Sequence, residues 1–204
     1  TSPHLEHRAS ISEPVVTLIA ADHSLVRVPS AILMVTLRPL EEADVDHVLT
    51  WVNDEEIVGN LASFAGQPFT RDDELAFIRR TLASPSDVVF SVFSSLPEDA
   101  GRYLGQVGLH QIHARSRVAR LAAVVARKSD WGRGVGSASI RALLAHAFGP
   151  MQLHEVWLMV FAANSRGRRT YARLGFVEEG VLREEYFHDG RWHDMVRMSL
   201  LDRE

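Results

Sequence analysis

The sequence predicts a mixed α/β domain, and three features carry that expectation. Short β-rich runs at 35–40, 88–92, 103–109, 118–126 and 155–160 are interspersed with segments whose apolar residues recur at helical spacing. A glycine-rich turn, Gly132, Gly134 and Gly136, stands between one such run and one such segment. The chain ends on two further β-rich runs, 176–183 and 192–200, around Asp189-Gly190, a pair that favours a two-residue hairpin turn. Strands that alternate with helices and finish in an antiparallel hairpin form a mixed sheet covered by helices.

Composition narrows the class. The chain has 204 residues, 46% hydrophobic and 24% charged, which suits one domain with an extension and a buried core. A formal net charge of −4 gives no global basic field for nucleic acid. The absence of cysteine excludes disulfides, a thiolate nucleophile and cysteine-ligated metal. No apolar run approaches a membrane span. The run at 15–21 is short and follows Glu6 and Glu13, where an export signal would be basic. The expectation is a cytoplasmic protein with no membrane or nucleic-acid partner and no metal.

In chain order, residues 1–33 carry Pro3, Pro14 and Pro29 and read as a peripheral extension, leaving 34–204 as the domain. Val45, Val48, Leu49 and Val52 mark one helix face behind Glu41, Glu42 and Asp44. Thr70 is the expected N-cap of a second helix, with Asp72, Asp73 and Glu74 in its first turn and Leu75, Ile78 and Leu82 along its inner face. The acids at 53–56, between the two helices, read as solvated helix-end charge. Ile140, Leu143, Leu144 and Ala147 mark a third helix, stopped by Gly149-Pro150, and Asn164 caps a fourth, ended by Gly175.

The stretch Trp131-Gly132-Arg133-Gly134-Val135-Gly136-Ser137 is the chemical centre of the sequence. Alternating glycines let successive N–H groups converge into an anion nest, and a helix starting there adds unpaired N–H groups and the positive end of its dipole. A P-loop would need Lys then Ser or Thr after its last glycine, but Ser137-Ala138 follow. A dinucleotide fingerprint would need glycine where Ser137 stands. Glu155 is well spaced for a ribose-binding acid, but too little chain remains for a doubly wound sheet.

The stretch resembles the acyl-CoA pyrophosphate loop of the GCN5-related N-acetyltransferase (GNAT) superfamily, which reads Gln/Arg-x-x-Gly-x-Gly/Ala, with Trp131 in place of the usual first residue. The segment from Asn164 through Tyr171 to Gly175-Phe176 is similar to the family's Asn-…-Tyr-…-Gly-Phe segment. The tryptophan resembles the branch that acetylates ribosomal-protein N-termini and small amines. The resemblance implies a mostly antiparallel central sheet, acetyl-CoA as donor and an amine acceptor, joined by direct attack in a ternary complex. It implies backbone contacts to the cofactor from Val124, Val125 and Ala126, and from Trp131, Gly132, Arg133, Gly134, Val135, Gly136 and Ser137. It also implies a cofactor contact from Asn164 and proton donation to the leaving thiolate by Tyr171. Arg166, Arg168 and Arg169 form a basic cluster, with Arg168 chosen for the adenosine 3′-phosphate.

The chain departs from the pattern at Leu121, where many relatives carry a glutamate base. His110, His113, His188 and Glu185 remain as candidate bases, with Glu185 the preferred carboxylate because it precedes the closing hairpin. Leu121 also leaves open a non-catalytic acyl-CoA-binding module on the same fold. The resemblance implies a homodimer, and Phe187 and Trp192 could place aromatic area for it on an exposed hairpin.

Overall fold

The computed structural model describes residues 18–19, 25–26, 34–61, 68–188 and 190–204. Two short strands, β1 (Leu18–Ile19) and β2 (Leu25–Val26), pair with each other. The body is a seven-stranded sheet in the order β3-β4-β5-β6-β7-β9-β8. Its strands are β3 (Val35–Pro39), β4 (Val88–Ser94), β5 (Tyr103–His113), β6 (Val118–Val125), β7 (Glu155–Phe161), β8 (Val177–His188) and β9 (Arg191–Leu201). Every neighbouring pair in it is antiparallel except β6 with β7. Among the described residues no helix is long and apolar enough to cross a membrane.

The helices sort by the apolar faces they bury. Helix α4 (Val135–Phe148) packs across β3, β5 and β6, and its Ile140, Leu143, Leu144 and Ala147 join Val107, Leu109, Val156, Leu158 and Met198 in one core. A second core gathers Val45 and Val48 of α1 (Val45–Leu49), Ile57 of α2 (Glu55–Val58) and Ile78 of α3 (Arg71–Ala83) around Trp51 and Tyr103. The start of α3 is fixed as expected. The Thr70 hydroxyl accepts from Asp73 N at 3.2 Å, and the Asp73 carboxylate accepts from Thr70 N at 2.9 Å, a reciprocal cap. The buried stripe of α3 differs from the expected one: Glu74, Ile78 and Thr81 turn inward, whereas Leu82 is half exposed. The three inward residues are four and three positions apart, so they share one helix face as the apolar spacing rule requires, but only one of them is apolar.

Strand β5 divides its side chains between the two faces. Val107 and Leu109 join the α4 core, while Gln106, Gly108 and His110 alternate with them toward α3. At Gly105 the backbone has φ +149, and a Cβ there would stand 2.1 Å from the Val124 carbonyl oxygen, so β5 and β6 approach as closely as they do because no side chain intervenes.

The decisive feature lies between β6 and β7. They are in register only at Val118 with Glu155, Ala119 with Val156 and Arg120 with Trp157. Beyond that point β6 stays paired to β5 and β7 stays paired to β9, so their facing edges part and a slot opens in the sheet. The Asp189-Gly190 turn falls partly outside the described residues; Gly190 itself has φ +73, as a tight hairpin turn demands.

Candidate active site

Two clefts meet at this slot. The smaller, about 180 Å³, is lined by Ala123, Val124 and Val125 of β6, by residues of the glycine-rich turn, and by the first turns of α5 (Ser165–Arg173). The larger, about 830 Å³, lies between α3 and the sheet face that carries Gln106, Gly108, His110, Arg120 and Ala122. Asn60, Leu61, Ala123, Val124, Asn164 and Tyr171 line both.

The glycine-rich turn is built as an anion cradle. Gly132 and Gly134 have φ +74 and +88, and Gly134 caps α4 directly, so the first N–H groups of that helix open into the smaller cleft. The turn is anchored from beneath. Asp130 is 3% exposed and accepts two bonds from the Arg102 guanidinium, at 2.7 and 3.1 Å, while Arg102 Nε reaches Asp99 at 2.6 Å. Such a bidentate pair fixes orientation as well as distance. Trp131 closes the arrangement: its indole Nε1 donates to the Val125 carbonyl at 3.3 Å, and the Arg166 guanidinium lies 4.0 Å over its ring.

The slot edge of β6 belongs to alternate residues. Ala126 N donates to the Leu104 carbonyl at 2.8 Å, and the Val124 carbonyl faces Gly105, so both groups are turned toward β5. In an antiparallel ladder the intervening residues face the other way, which puts the backbone of Ala123 and Val125 on the slot. Of the three residues expected to offer backbone groups, Val125 therefore faces the slot, with its carbonyl already accepting from Trp131 Nε1, whereas the Val124 carbonyl and the Ala126 N–H are engaged within the sheet.

Tyr171 stands where the clefts join and packs edge-on against Phe176, with ring centroids 5.9 Å apart. Burial pushes its phenol above the ordinary range, which keeps the hydroxyl a neutral donor. Asn164 caps α5 by accepting from Gly167 N at 2.8 Å, so a ligand contact would come from its amide nitrogen.

Other candidates lie elsewhere. Arg168 pairs with Glu178 through Nε at 2.8 Å and Nη2 at 3.0 Å, and Nη1 reaches the Ala162 carbonyl; the cation that lines the smaller cleft is Arg166. Arg133 and Glu185 are exposed and outside both linings. His113 Nδ1 accepts from Ser116 N at 3.1 Å in the β5–β6 turn. His188 packs beside Tyr186 and His193 on the hairpin. Leu121 is 4% exposed in the α4 core, opposite Leu109. Of the four candidate bases only His110 lines a cleft.

One side chain of the larger cleft escaped the sequence reading. Glu74 is 2% exposed yet lines the larger cleft. Burial, then the neighbouring Asp73, raises its carboxyl above the ordinary range. A buried acid beside a cavity is a ready partner for a cation. The only signal in the sequence was its i, i+4 spacing to Ile78, which its charge obscured.

Comparison with known proteins agrees with this geometry. The model of an acetyltransferase (GNAT) domain matches residues 34–177. A putative ribosomal N-acetyltransferase of Bacillus subtilis is 27% identical over 175 residues, covering 83% of this chain and 92% of that protein. A spermidine N(1)-acetyltransferase of Vibrio cholerae is 31% identical over 168 residues, covering 81% and 92%. A crystal structure of spermidine N-acetyltransferase from Vibrio cholerae, in complex with CoA and spermine, superposes with a TM-score of 0.75 at 27% identity over 83% of this chain and 96% of that one. With the parted strands, the glycine cradle and the tyrosine between two clefts, these matches establish that the chain belongs to the GNAT acetyltransferase family.

Proposed function

We propose that this acetyltransferase acts on a small aliphatic amine that carries a second positive charge, by direct attack on acetyl-CoA in a ternary complex. The observation that carries this reading is that Asn164 and Tyr171 line both clefts at once. The smaller cleft, with its cradle of N–H groups, suits the pyrophosphate and pantetheine of acetyl-CoA. The larger takes the acceptor. Its walls combine apolar Val48, Trp51, Leu61 and Phe77 with the buried Glu74, a lining suited to an alkyl chain bearing an ammonium group. Named relatives that acetylate spermidine are consistent with such an acceptor. The domain is assigned to 34–204, with 1–33 as an extension. A non-catalytic binding module would need neither a hydroxyl donor between the clefts nor an acceptor cavity of this size.

In the reaction, the attacking nitrogen forms a C–N bond, the carbonyl electrons move to oxygen, and collapse breaks the C–S bond. Tyr171 gives its proton to the departing sulfur. Tyr171→Phe keeps the ring against Phe176 and removes only the hydroxyl. The expected result is a fall in kcat of about 10²- to 10⁴-fold with acetyl-CoA affinity unchanged. Retention of most of kcat, where chemistry limits turnover, would make Tyr171 a packing residue.

Glu74 governs acceptor choice in this reading. A hydrogen bond to a charged partner contributes about 1.5–3 kcal/mol, or about 10- to 100-fold in affinity. Glu74→Gln should raise KM for a diamine by that factor while leaving KM for a monoamine of equal length little changed. Equal KM values for the diamine in the two proteins would remove Glu74 from the acceptor site.

The assembly proposed is a homodimer across the β8 edge. That edge strand is exposed along most of its length and carries Val177, Val181 and Phe187, with Trp192 of β9 packed against Phe187 at 5.1 Å and itself 59% exposed. An edge with this much apolar area calls for a cover, and a second copy offers a matching one. Light scattering at micromolar concentration should give twice the monomer mass; a monomer would contradict it.

A further inference from the structure

Leu121 leaves β6 without a carboxylate, yet the larger cleft contains another group able to accept a proton. His110 lies on the cleft face of β5, and its Nδ1 is 2.8 Å from Asp87 Oδ1. Burial works against the Asp87 carboxylate, but hydrogen bonds from Ser84 and His110 outweigh it and hold the group below the ordinary carboxylate range. A carboxylate at Nδ1 fixes the ring proton there and leaves the lone pair on Nε2. That nitrogen leans over Gly108. A Cβ at Gly108 would lie 3.3 Å from His110 Nε2, 2.9 Å from Val89 Cγ2 and 3.0 Å from the Val88 carbonyl oxygen. Across the ladder Gly108 faces Ala122, so the floor beneath Nε2 consists of two small residues in a cleft that Tyr171 also lines. Val89 and the Val88 carbonyl crowd the same glycine from β4, so the ring is held in place over it.

We propose that His110 Nε2 is the proton acceptor of the reaction, taking the proton of the amine directly or through one water, with Asp87 as the residue that positions its ring. This rests on the acetyl-transfer reading above. The protons balance. One passes from the ammonium to His110 and on to solvent. A second leaves the nitrogen as the C–S bond breaks and replaces the one Tyr171 gives to sulfur. Asp87, ahead of β4, bonds the His110 ring and Arg120 on β6 is its register partner; the other ionisable groups lining the cleft are Asp73, Glu74 and Arg80 of α3 and Tyr171 of α5.

The test is kcat/KM against pH for wild type, His110→Gln and Asp87→Asn, with two acceptors. One is an alkyl amine, protonated at neutral pH; the other is an alkoxyamine, neutral across the assay range. With the alkyl amine, His110→Gln should lose about 10²-fold or more near neutral pH, and one ionisation should vanish from the profile. With the alkoxyamine it should lose little. Asp87→Asn should likewise lose kcat/KM with the alkyl amine and little with the alkoxyamine, because the ring loses the acceptor that holds its proton on Nδ1. Circular dichroism and acetyl-CoA affinity should match wild type. An unchanged alkyl-amine profile in His110→Gln overturns the proposal, as does an equal loss with both acceptors. If His110→Gln fails to fold, Asp87→Asn decides: a loss confined to the alkyl amine supports the proposal, and no loss or an equal loss with both acceptors overturns it. An active wild type beside an unchanged variant defeats the histidine alone. A wild type that releases no thiol with either amine defeats the acetyl-transfer reading and the histidine with it.

Discussion

Strands β6 and β7 share three register positions and then part, each held by its outer neighbour. An unpaired backbone edge inside a sheet is costly, because every N–H and C=O there needs a partner. The cost is tolerable where a polar ligand lies between the edges. The slot is thus a site of the same kind as a sheet edge that receives an added strand, and the proposed occupant is the amide-rich arm of acetyl-CoA. The remainder of the fold keeps this opening in shape. Gly105 lets β5 hold β6 closely from outside, and the full ladder between β7 and β9 holds the other lip.

The mouth of the slot depends on a second constraint. Glycines make the cradle possible but do not aim it. Arg102 and Asp130 do so from below, through two parallel hydrogen bonds in a largely buried setting. Trp131 does so from above, spending its one donor on Val125 and offering its ring to Arg166. A tryptophan at this position therefore has a structural reason. Arg166 is held at the smaller cleft by stacking on that ring.

Much of the fold was legible because local chemistry and tertiary need agreed. The Thr70 and Asn164 caps, the apolar face of α4, and the glycine cradle all follow from short-range rules that the structure obeys. The GNAT assignment rested on two segments, the glycine turn and the Asn164–Tyr171 helix, and the structure brings both to one cleft. What was not legible involved choices that only packing makes. Arg168 and Arg166 are two positions apart on one helix, and a bond to Glu178 decides which is withdrawn from the cofactor side. Glu74 shares the inward face of α3 with Ile78 and Thr81, and Leu82 lies off that face. Asp87 and His110 come together only through β4–β5 pairing, at a separation that no motif records. Glu185 precedes the hairpin in sequence, yet the β8 edge carries it away from both clefts.

A single structure would test the central claim, that the parted strands form the cofactor slot of an acetyl-CoA-dependent N-acetyltransferase. It is a crystal structure of this protein with CoA bound. Pyrophosphate should lie on the N–H groups of residues 132–137, and pantetheine between the Ala123 and Val125 edge of β6 and the facing edge of β7. The thiol should lie within hydrogen-bond reach of the Tyr171 hydroxyl. CoA bound outside the slot, or a thiol remote from Tyr171, would contradict it.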